Sequence, residues 1–186
     1  MMTLKAPLLI ASLVALTGCI PTIKKQWDVQ PVQGSVIDAH TGHPIAGATV
    51  ISRNNPSLIA TTNSDGRFII EEQTHLGFHL LMAASAMTHQ VWQVSHPDYE
   101  YGIARTSTLL PPLSRELRTP QIPLFQQLPA SPEGCPDFGY LMQLGEWKRR
   151  HDQRNQDMRF VETEDCHNPE AREAIYELWF PEPKKK

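Results

Sequence analysis

The sequence has few charged residues and no long apolar segment. Charged residues make up 20% of the 186 residues, and the formal net charge is only −3. This balance argues against a wholly disordered polyelectrolyte and against a dedicated nucleic-acid binder. No apolar run reaches the roughly 18 residues of a membrane-spanning helix, so we expect a globular chain that does not cross a bilayer.

Glycine is also scarce, with 10 residues against 16 prolines. An excess of proline favours strands, turns and extended connections over a helical bundle. The excess is greatest over residues 111–136, where seven prolines exclude both a helix and a central strand. The composition therefore predicts a mainly β fold.

Cysteine is scarce as well, and one of the three cysteines lies near the amino terminus. Lys5 precedes an apolar run over residues 8–15, and the run leads into Leu16-Thr17-Gly18-Cys19. A charged head followed by a short apolar core is typical of a secretory signal. The last four residues resemble the lipobox of bacterial lipoproteins. In that family the signal is cut before the cysteine, the thiol receives a diacylglyceryl group, and the new amino group is acylated.

The lipobox resemblance implies a signal peptide over residues 1–18, a lipid on Cys19 and a location in the cell envelope. Ile20 stands where inner-membrane lipoproteins carry Asp, which implies the outer membrane, with the domain facing the periplasm. Several acyl chains together give stable membrane anchoring. An ordinary signal peptide that has a cysteine near its end is the alternative interpretation.

The other two cysteines are Cys135 and Cys166. An even number of cysteines in an oxidising compartment favours a disulfide between them. Two free thiols are the alternative. Two cysteines are too few for a zinc finger.

From residue 32 onward, short β-type segments alternate with turn sequences. Turns such as His40-Thr41-Gly42 separate the segments at intervals of about 8–12 residues, which is the spacing of a β-sandwich or barrel. The pattern predicts strands near residues 32–38, 48–52, 58–62, 67–71, 78–83, 91–94 and 103–109, and an edge strand over residues 121–125.

The first four predicted strands carry a motif of a known family. Its residues are Gly34, Val36, Asp38, Thr41, Gly42, Pro44, Gly47, Ala48, Val50, Asp65, Gly66 and Phe68. They resemble the carboxypeptidase regulatory-like domain, which has a transthyretin-like (prealbumin-like) Greek-key β-sandwich. That domain is a non-catalytic accessory in the enzymes that contain it. Immunoglobulin and collagen-adhesin repeats share the strand spacing but match these residues less well.

Physical chemistry gives the motif residues structural roles. Gly42 and Gly66 fall where turns need a positive φ. Asp38 and Asp65 are suited to accept hydrogen bonds from neighbouring backbone amides. Phe68 is expected to enter the core of the sandwich.

The carboxyl-terminal part has a helical pattern. Tyr140, Leu144 and Trp147 share one helical face. The segment Asn168-Pro169 combines an N-cap with proline at the first helical position, which predicts a helix over residues 169–179. The chain therefore divides into a signal peptide (1–18), a lipidated cysteine with a tether (19–31), a sandwich (32–125), and a proline-rich connection with a disulfide-clamped helical extension (126–186).

Two groups of histidines are candidate metal ligands. His167 and Glu170 have the His-x-x-Glu spacing of metallocarboxypeptidases, but no later histidine completes a zinc site. His75 and His79 begin a group of four histidines that extends to residue 96. A metal-dependent hydrolase at this group is one alternative, and separate surface histidines are the favoured interpretation.

Two further clusters have a functional and a structural interpretation. The basic cluster is either a patch for lipid headgroups or an acidic partner, or a solvated helix face; it comprises Lys148, Arg149, Arg150, Arg154 and Arg159. The aromatic cluster is either a binding surface or, as we favour, packing of helices onto the sandwich; it comprises Trp147, Tyr176, Trp179 and Phe180.

The sequence contains no nucleophile–base pair, no complete set of metal ligands and no glycine-rich phosphate loop. We therefore predict a non-catalytic binding or structural lipoprotein without a cofactor, with an envelope protein as its partner and no nucleic acid. A ligand or carbohydrate binder that uses exposed aromatic residues is the main alternative.

Overall fold

The computed structural model describes residues 21–80, 86–110, 119–151 and 165–180. The fold is mainly β with a small helical part at the carboxyl end, as the sequence predicts. The predicted signal peptide, Cys19, Arg154 and Arg159 lie outside the described residues. The described ranges contain nine strands and two helices: β1 (Pro21–Val29), β2 (Val32–Asp38), β3 (Thr49–Ser52), β4 (Ile59–Thr61), β5 (Arg67–Ile70), β6 (Gln73–Leu80), β7 (Ala86–His96), β8 (Tyr99–Leu110), β9 (Gln121–Leu124), α1 (Phe138–Arg150) and α2 (Pro169–Trp179).

Two sheets enclose the main core and form a β-sandwich. One sheet has the strand order β5-β2-β9, and the other has the order β4-β3-β7-β8. Neighbouring strands are antiparallel except β2 and β9, which run parallel. The core between the sheets includes Val32, Val36, Val50, Phe68, Ile70, Trp92, Val94, Ile122 and Leu124.

Alternating side chains explain why these segments form strands at this core. In β2 every second residue is buried, beginning with Val32. In β5 Phe68 and Ile70 are buried, while Arg67 and Ile69 are exposed. Because successive side chains of a strand point to opposite faces, such segments bury one face and leave the other in solvent.

The structure corrects the predicted tether over residues 19–31. Pro21–Val29 forms β1, which pairs antiparallel with β6 from Pro21↔Leu80 to Val29↔Gln73. The two strands form a separate ribbon outside both sandwich sheets. Pairing satisfies backbone N–H and C=O groups that β6 alone would leave open.

The carboxyl-terminal helices share a second core. A disulfide joins Cys135 to Cys166, as predicted. The amide of Ala171 donates a hydrogen bond of 3.1 Å to Oδ1 of Asn168, which confirms the predicted cap of α2. The buried members of this core are Ile103 of β8, together with Tyr140, Leu141, Leu144, Trp147, Ala171, Ile175 and Trp179 of the helices and both cysteines. The helices therefore pack on each other and on the sandwich.

Candidate functional site

A partly buried ion pair fixes the start of α1 to the sandwich. Arg53 directly follows β3, and Asp137 directly precedes α1. The guanidinium Nη1 and Nη2 of Arg53 donate to the two carboxylate oxygens of Asp137 at 2.6 and 2.8 Å. Gln93 of β7 accepts from Nε of Arg53 at 3.1 Å. The hydrogen bonds to Asp137 raise the pKa of Arg53 above its ordinary value, although burial opposes them.

Tyr101 of β8 completes this ion-pair network. Its hydroxyl donates to Oδ1 of Asp137 and to the carbonyl oxygen of Pro136, both at 2.9 Å. Burial, followed by the nearby Asp137 carboxylate, raises the pKa of Tyr101 to about 12. Both Asp137 oxygens are therefore engaged, and its side chain does not cap α1.

A second polar network organises the turn after β2. Oδ1 of Asp38 accepts from the amides of His40 and Thr41, both at 2.7 Å, and Oδ2 accepts from the hydroxyl of Tyr99 at 2.7 Å. Burial raises the pKa of Asp38, but these hydrogen bonds outweigh burial and leave the pKa below its usual value. The bond to Asp38 is the main cause that raises the pKa of Tyr99 to about 12. The predicted turn role of Asp38 is therefore confirmed.

The remaining motif residues shape the same end of the sandwich. Gly42, Gly47 and Gly66 have positive φ angles of 73°, 76° and 68°. A Cβ on Gly66 would lie 2.5 Å from the carbonyl oxygen of Val36. The other motif residues also pack or hydrogen-bond within the sandwich. Gly34 lies against the Phe68 ring, Pro44 forms a β-bridge with Ile37, and the N–H of buried Ala48 donates to the hydroxyl of Thr62.

The turn before Gly66 differs in one detail from the prediction. The side chain that accepts backbone hydrogen bonds there is Asn63 rather than Asp65. Oδ1 of Asn63 accepts from the amides of Asp65 and Arg67 at 3.0 and 2.9 Å. An Asn at the first turn position has the same acceptor geometry as Asp, so the motif aspartate is not needed for this role.

A cleft of about 300 Å³ opens where the turn after β2 meets the end of α1. Its described lining consists of Ala39, His40, Phe125, Arg150 and His151. Ala39 and Phe125 give it an apolar part, and the other three residues are basic side chains. None of the described lining residues is acidic.

Trp147 fixes the wall of this cleft. Its indole N–H donates to the carbonyl oxygen of Ala39 at 2.9 Å, and its ring stacks on His151 with 4.5 Å between centroids. His151 also contacts the carbonyl oxygen of Trp147 through Nδ1 at 2.9 Å. Two hydrogen bonds and a ring stack therefore hold this wall in place, and the lining combines apolar surface with a guanidinium.

The histidine group near residues 75–96 is spread over different elements. Nδ1 of His75 lies 2.8 Å from Oδ1 of Asp28, and Nδ1 of His89 lies 2.8 Å from the hydroxyl of Ser107. The side chain of His79 on β6 is outside the described side chains. Across the described ranges, no three metal-ligating side chains come together.

The His167–Glu170 segment contains Asn168, the N-cap of α2. The amide of His167 donates to the carbonyl oxygen of Gly134 at 2.6 Å. Pro169 is the first residue of α2, and Glu170 lies in its first turn. This segment joins the loop that contains Cys135 to the second helix.

The basic cluster and the aromatic cluster each contain both exposed residues and residues that pack against the protein. Arg149 and Arg150 are exposed, whereas the Lys148 ammonium lies 5.5 Å from the Trp179 ring centroid. Trp147 and Trp179 are buried, as the packing interpretation predicts. Tyr176 and Phe180 depart from that interpretation: they are 44% and 45% exposed, with ring centroids 6.0 Å apart.

Sequence reasoning missed the Arg53–Asp137 pair and the cleft. Asp137 precedes a predicted helix, which suggests a cap, and Arg53 follows a β-branched run, but no pattern connects residues 84 positions apart. Within the described part of the chain, no helix is long and apolar enough to cross a membrane. No protein-family model matches the chain, and no curated protein is significantly similar to it in sequence.

Proposed function

We propose that this protein is an outer-membrane lipoprotein, anchored through Cys19 and facing the periplasm, that binds an envelope protein without catalysing a reaction. The lipobox-like segment Leu16-Thr17-Gly18-Cys19 supports the anchor. The observation that carries the binding role is the basic cleft between the sandwich and α1. The resemblance of the motif residues to an accessory domain is consistent with a module of this kind.

The lining of the cleft selects the chemistry of its occupant. The Arg150 guanidinium attracts a carboxylate, while Phe125 and Ala39 contact an apolar side chain. A volume of about 300 Å³ is at the small end of ligand pockets, which suits one or two side chains. The proposed occupant is therefore a short acidic and apolar segment of a protein partner.

The hydrogen bonds of two carboxylates, those of Asp38 and Asp137, support a binding role over a catalytic one. Both carboxylate oxygens of Asp38 and of Asp137 already accept hydrogen bonds from their own chain. A general base must instead be within hydrogen-bond reach of a substrate proton. The Asp137 carboxylate joins the helical part to the sandwich, and the Asp38 carboxylate holds the turn after β2 against Tyr99. The cleft contributes cationic and apolar surface.

Variants of two adjacent arginines test the cleft. Arg150 lines the cleft, and Arg149 is an exposed neighbour on the same helix that does not line it. After crosslinking in intact cells, an envelope protein should be recovered with the wild type and with Arg149→Glu. Its yield should fall about tenfold with Arg150→Glu, because reversed charge repels an acidic segment. Equal yields from both variants would contradict the proposed site.

An exposed aromatic pair favours carbohydrate binding as a second candidate function. Tyr176 and Phe180 present neighbouring rings at the end of α2, and aromatic faces of this kind are suited to apolar ligand surfaces. Binding of envelope polysaccharide that is lost in Tyr176→Ala and kept in Arg150→Glu would favour this function over the protein partner. A metal-dependent hydrolase at His75 would require stoichiometric metal that His75→Ala removes.

A further inference from the structure

The β1–β6 ribbon has two chemically different faces. Residues that are directly opposite in an antiparallel pair lie on the same face, and faces alternate along each strand. The pairs Ile23↔Phe78, Lys25↔Leu76 and Trp27↔Thr74 therefore place four large apolar residues on one face. The pairs between them are Thr22↔His79, Lys24↔Gly77 and Gln26↔His75, which place mostly polar residues on the other face.

The described side chains agree with this division. Ile23 is 74% exposed and Leu76 is 76% exposed, the largest exposures among the large apolar residues of the described chain. On the polar face, Nδ1 of His75 lies 2.8 Å from Oδ1 of Asp28. Among the described side chains of the ribbon, His75 and Asp28 contact each other on the polar face, whereas Ile23 and Leu76 project from the apolar face into solvent. A contiguous apolar face of this kind is typical of an interaction surface.

The position of the ribbon in the sequence identifies what covers this face. Only Ile20 separates Cys19 from Pro21, the first residue of β1. Two extended residues span at most about 7 Å, so a lipid on Cys19 holds the start of the ribbon at the membrane surface. We infer that the apolar face of the β1–β6 ribbon lies on the bilayer, a conclusion that rests on the proposed lipidation of Cys19.

The composition of the ribbon fits the interfacial zone of a bilayer. Trp27 shares the face of Ile23 and Leu76, and tryptophan is enriched at the boundary between lipid and water. Lys24 and Lys25 add two positive charges that attract anionic headgroups. In the described part of the chain the ribbon has only two strands, so one edge of each strand lies outside the pairing. Because backbone groups at such an edge need water or headgroup partners, the ribbon lies at the headgroup level and does not enter the hydrocarbon. The ribbon then orients the sandwich relative to the membrane, which a flexible tether would not do.

Site-specific photocrosslinking tests the contact. A benzophenone amino acid replaces Ile23 or Leu76 in the full chain, and the matched control replaces Ile69 of β5, which is apolar and 63% exposed on the sandwich. After irradiation of the cell envelope, the mass of the purified protein identifies each adduct. Positions 23 and 76 should give about tenfold more phospholipid adduct than position 69. Equal lipid adducts at the three positions, or adducts with a protein or with residues 1–18, would overturn the inference.

A second experiment distinguishes failure of this inference from failure of the proposed anchor. If the protein is acylated and membrane-bound but positions 23 and 76 give no lipid adduct, the anchor stands and the ribbon inference fails. If Cys19 is not acylated in cells, the chain that begins at Cys19 is coupled through that thiol to maleimide lipids in phosphatidylglycerol–phosphatidylcholine vesicles. The other two cysteines form a disulfide and do not react. Lipid adducts at positions 23 and 76 then support the ribbon contact, and their absence overturns it.

Discussion

Arg53 and Asp137 lie 84 residues apart in the sequence, and their side chains meet in a bidentate ion pair with N–O distances of 2.6 and 2.8 Å. Arg53 belongs to the sandwich, and Asp137 begins the helical part. Their contact holds α1 in a fixed position beside the sandwich. The cleft depends on that position, because Phe125 and His40 belong to the sandwich and Arg150 belongs to α1.

Arg53→Ala should lower the free energy of unfolding by about 2 kcal/mol. The change leaves the carboxylate of Asp137, whose side chain is only 6% exposed, without its main partner. Urea denaturation followed by circular dichroism measures the loss. The matched control is Arg67→Ala, since Arg67 is exposed on β5 and its loss should cost less than about 0.5 kcal/mol. Equal losses of unfolding free energy in the two variants would contradict this prediction, because the ion pair would then stabilise the protein no more than an exposed side chain does.

Gly66→Ala should be far more destabilising than Gly42→Ala. Both glycines have positive φ, so each substitution incurs the left-handed cost of about 1 kcal/mol. A Cβ on Gly66 would also lie 2.5 Å from the carbonyl oxygen of Val36, while a Cβ on Gly42 would meet no atom within 4 Å. We expect a total loss of about 3 kcal/mol for Gly66→Ala from strain and displacement of the backbone. Similar denaturation midpoints for the two variants would argue against the close approach.

Tyr99→Phe should change how stability depends on alkaline pH. The pKa of Tyr99 is raised to about 12 in the folded protein, against 10 for an ordinary tyrosine. The folded state therefore binds the phenolic proton more tightly than the unfolded state does. Its contribution is complete below pH 10 and is lost as the pH rises towards 12. The variant should be less stable than the wild type at pH 8 and should lose less stability between pH 10 and 12. Parallel stability curves over that range would contradict the bond between Tyr99 and Asp38.

Reduction of the Cys135–Cys166 disulfide should destabilise the helical part first. The bond closes a loop with a sequence separation of 31, for which the chain-entropy model gives about 3.7 kcal/mol. Hydrogen exchange measured with and without reductant should show faster exchange of the amides of α2. The amides of β2 and β7 should keep their protection, because they belong to the separate sandwich core. Unchanged exchange in α2, or equal acceleration in β2, would contradict two separate cores.

Local patterns predicted much of the fold. The alternation that begins at Val32 predicts β2, and the cap formed by Asn168 and Pro169 predicts α2 with the bounds that the structure shows. These features depend on residues that are close in sequence, since strand alternation and helix capping are local effects. Cys135 and Cys166 also pair as expected.

Contacts between distant segments were not predictable. β1 has no strong apolar alternation, and it is a strand because β6, about 50 residues later, offers an edge for pairing. The parallel pairing of β2 with β9 and the Arg53–Asp137 pair likewise join segments that share no motif. The cleft was missed for the same reason: Ala39, Phe125 and His151 come together only through the packing of α1 on the sandwich.

The intact mass of the protein extracted from the membrane fraction tests the central proposal, that a lipid on Cys19 anchors a binding module in the envelope. We predict a chain that begins at Cys19 and carries the added mass of a diacylglyceryl group and a further acyl chain. Cys19→Ser should lack this mass and should be recovered as a soluble or uncleaved species. A wild-type chain that retains residues 1–18 or begins at an unmodified Cys19, or membrane fractionation that is unchanged in Cys19→Ser, would contradict the proposal.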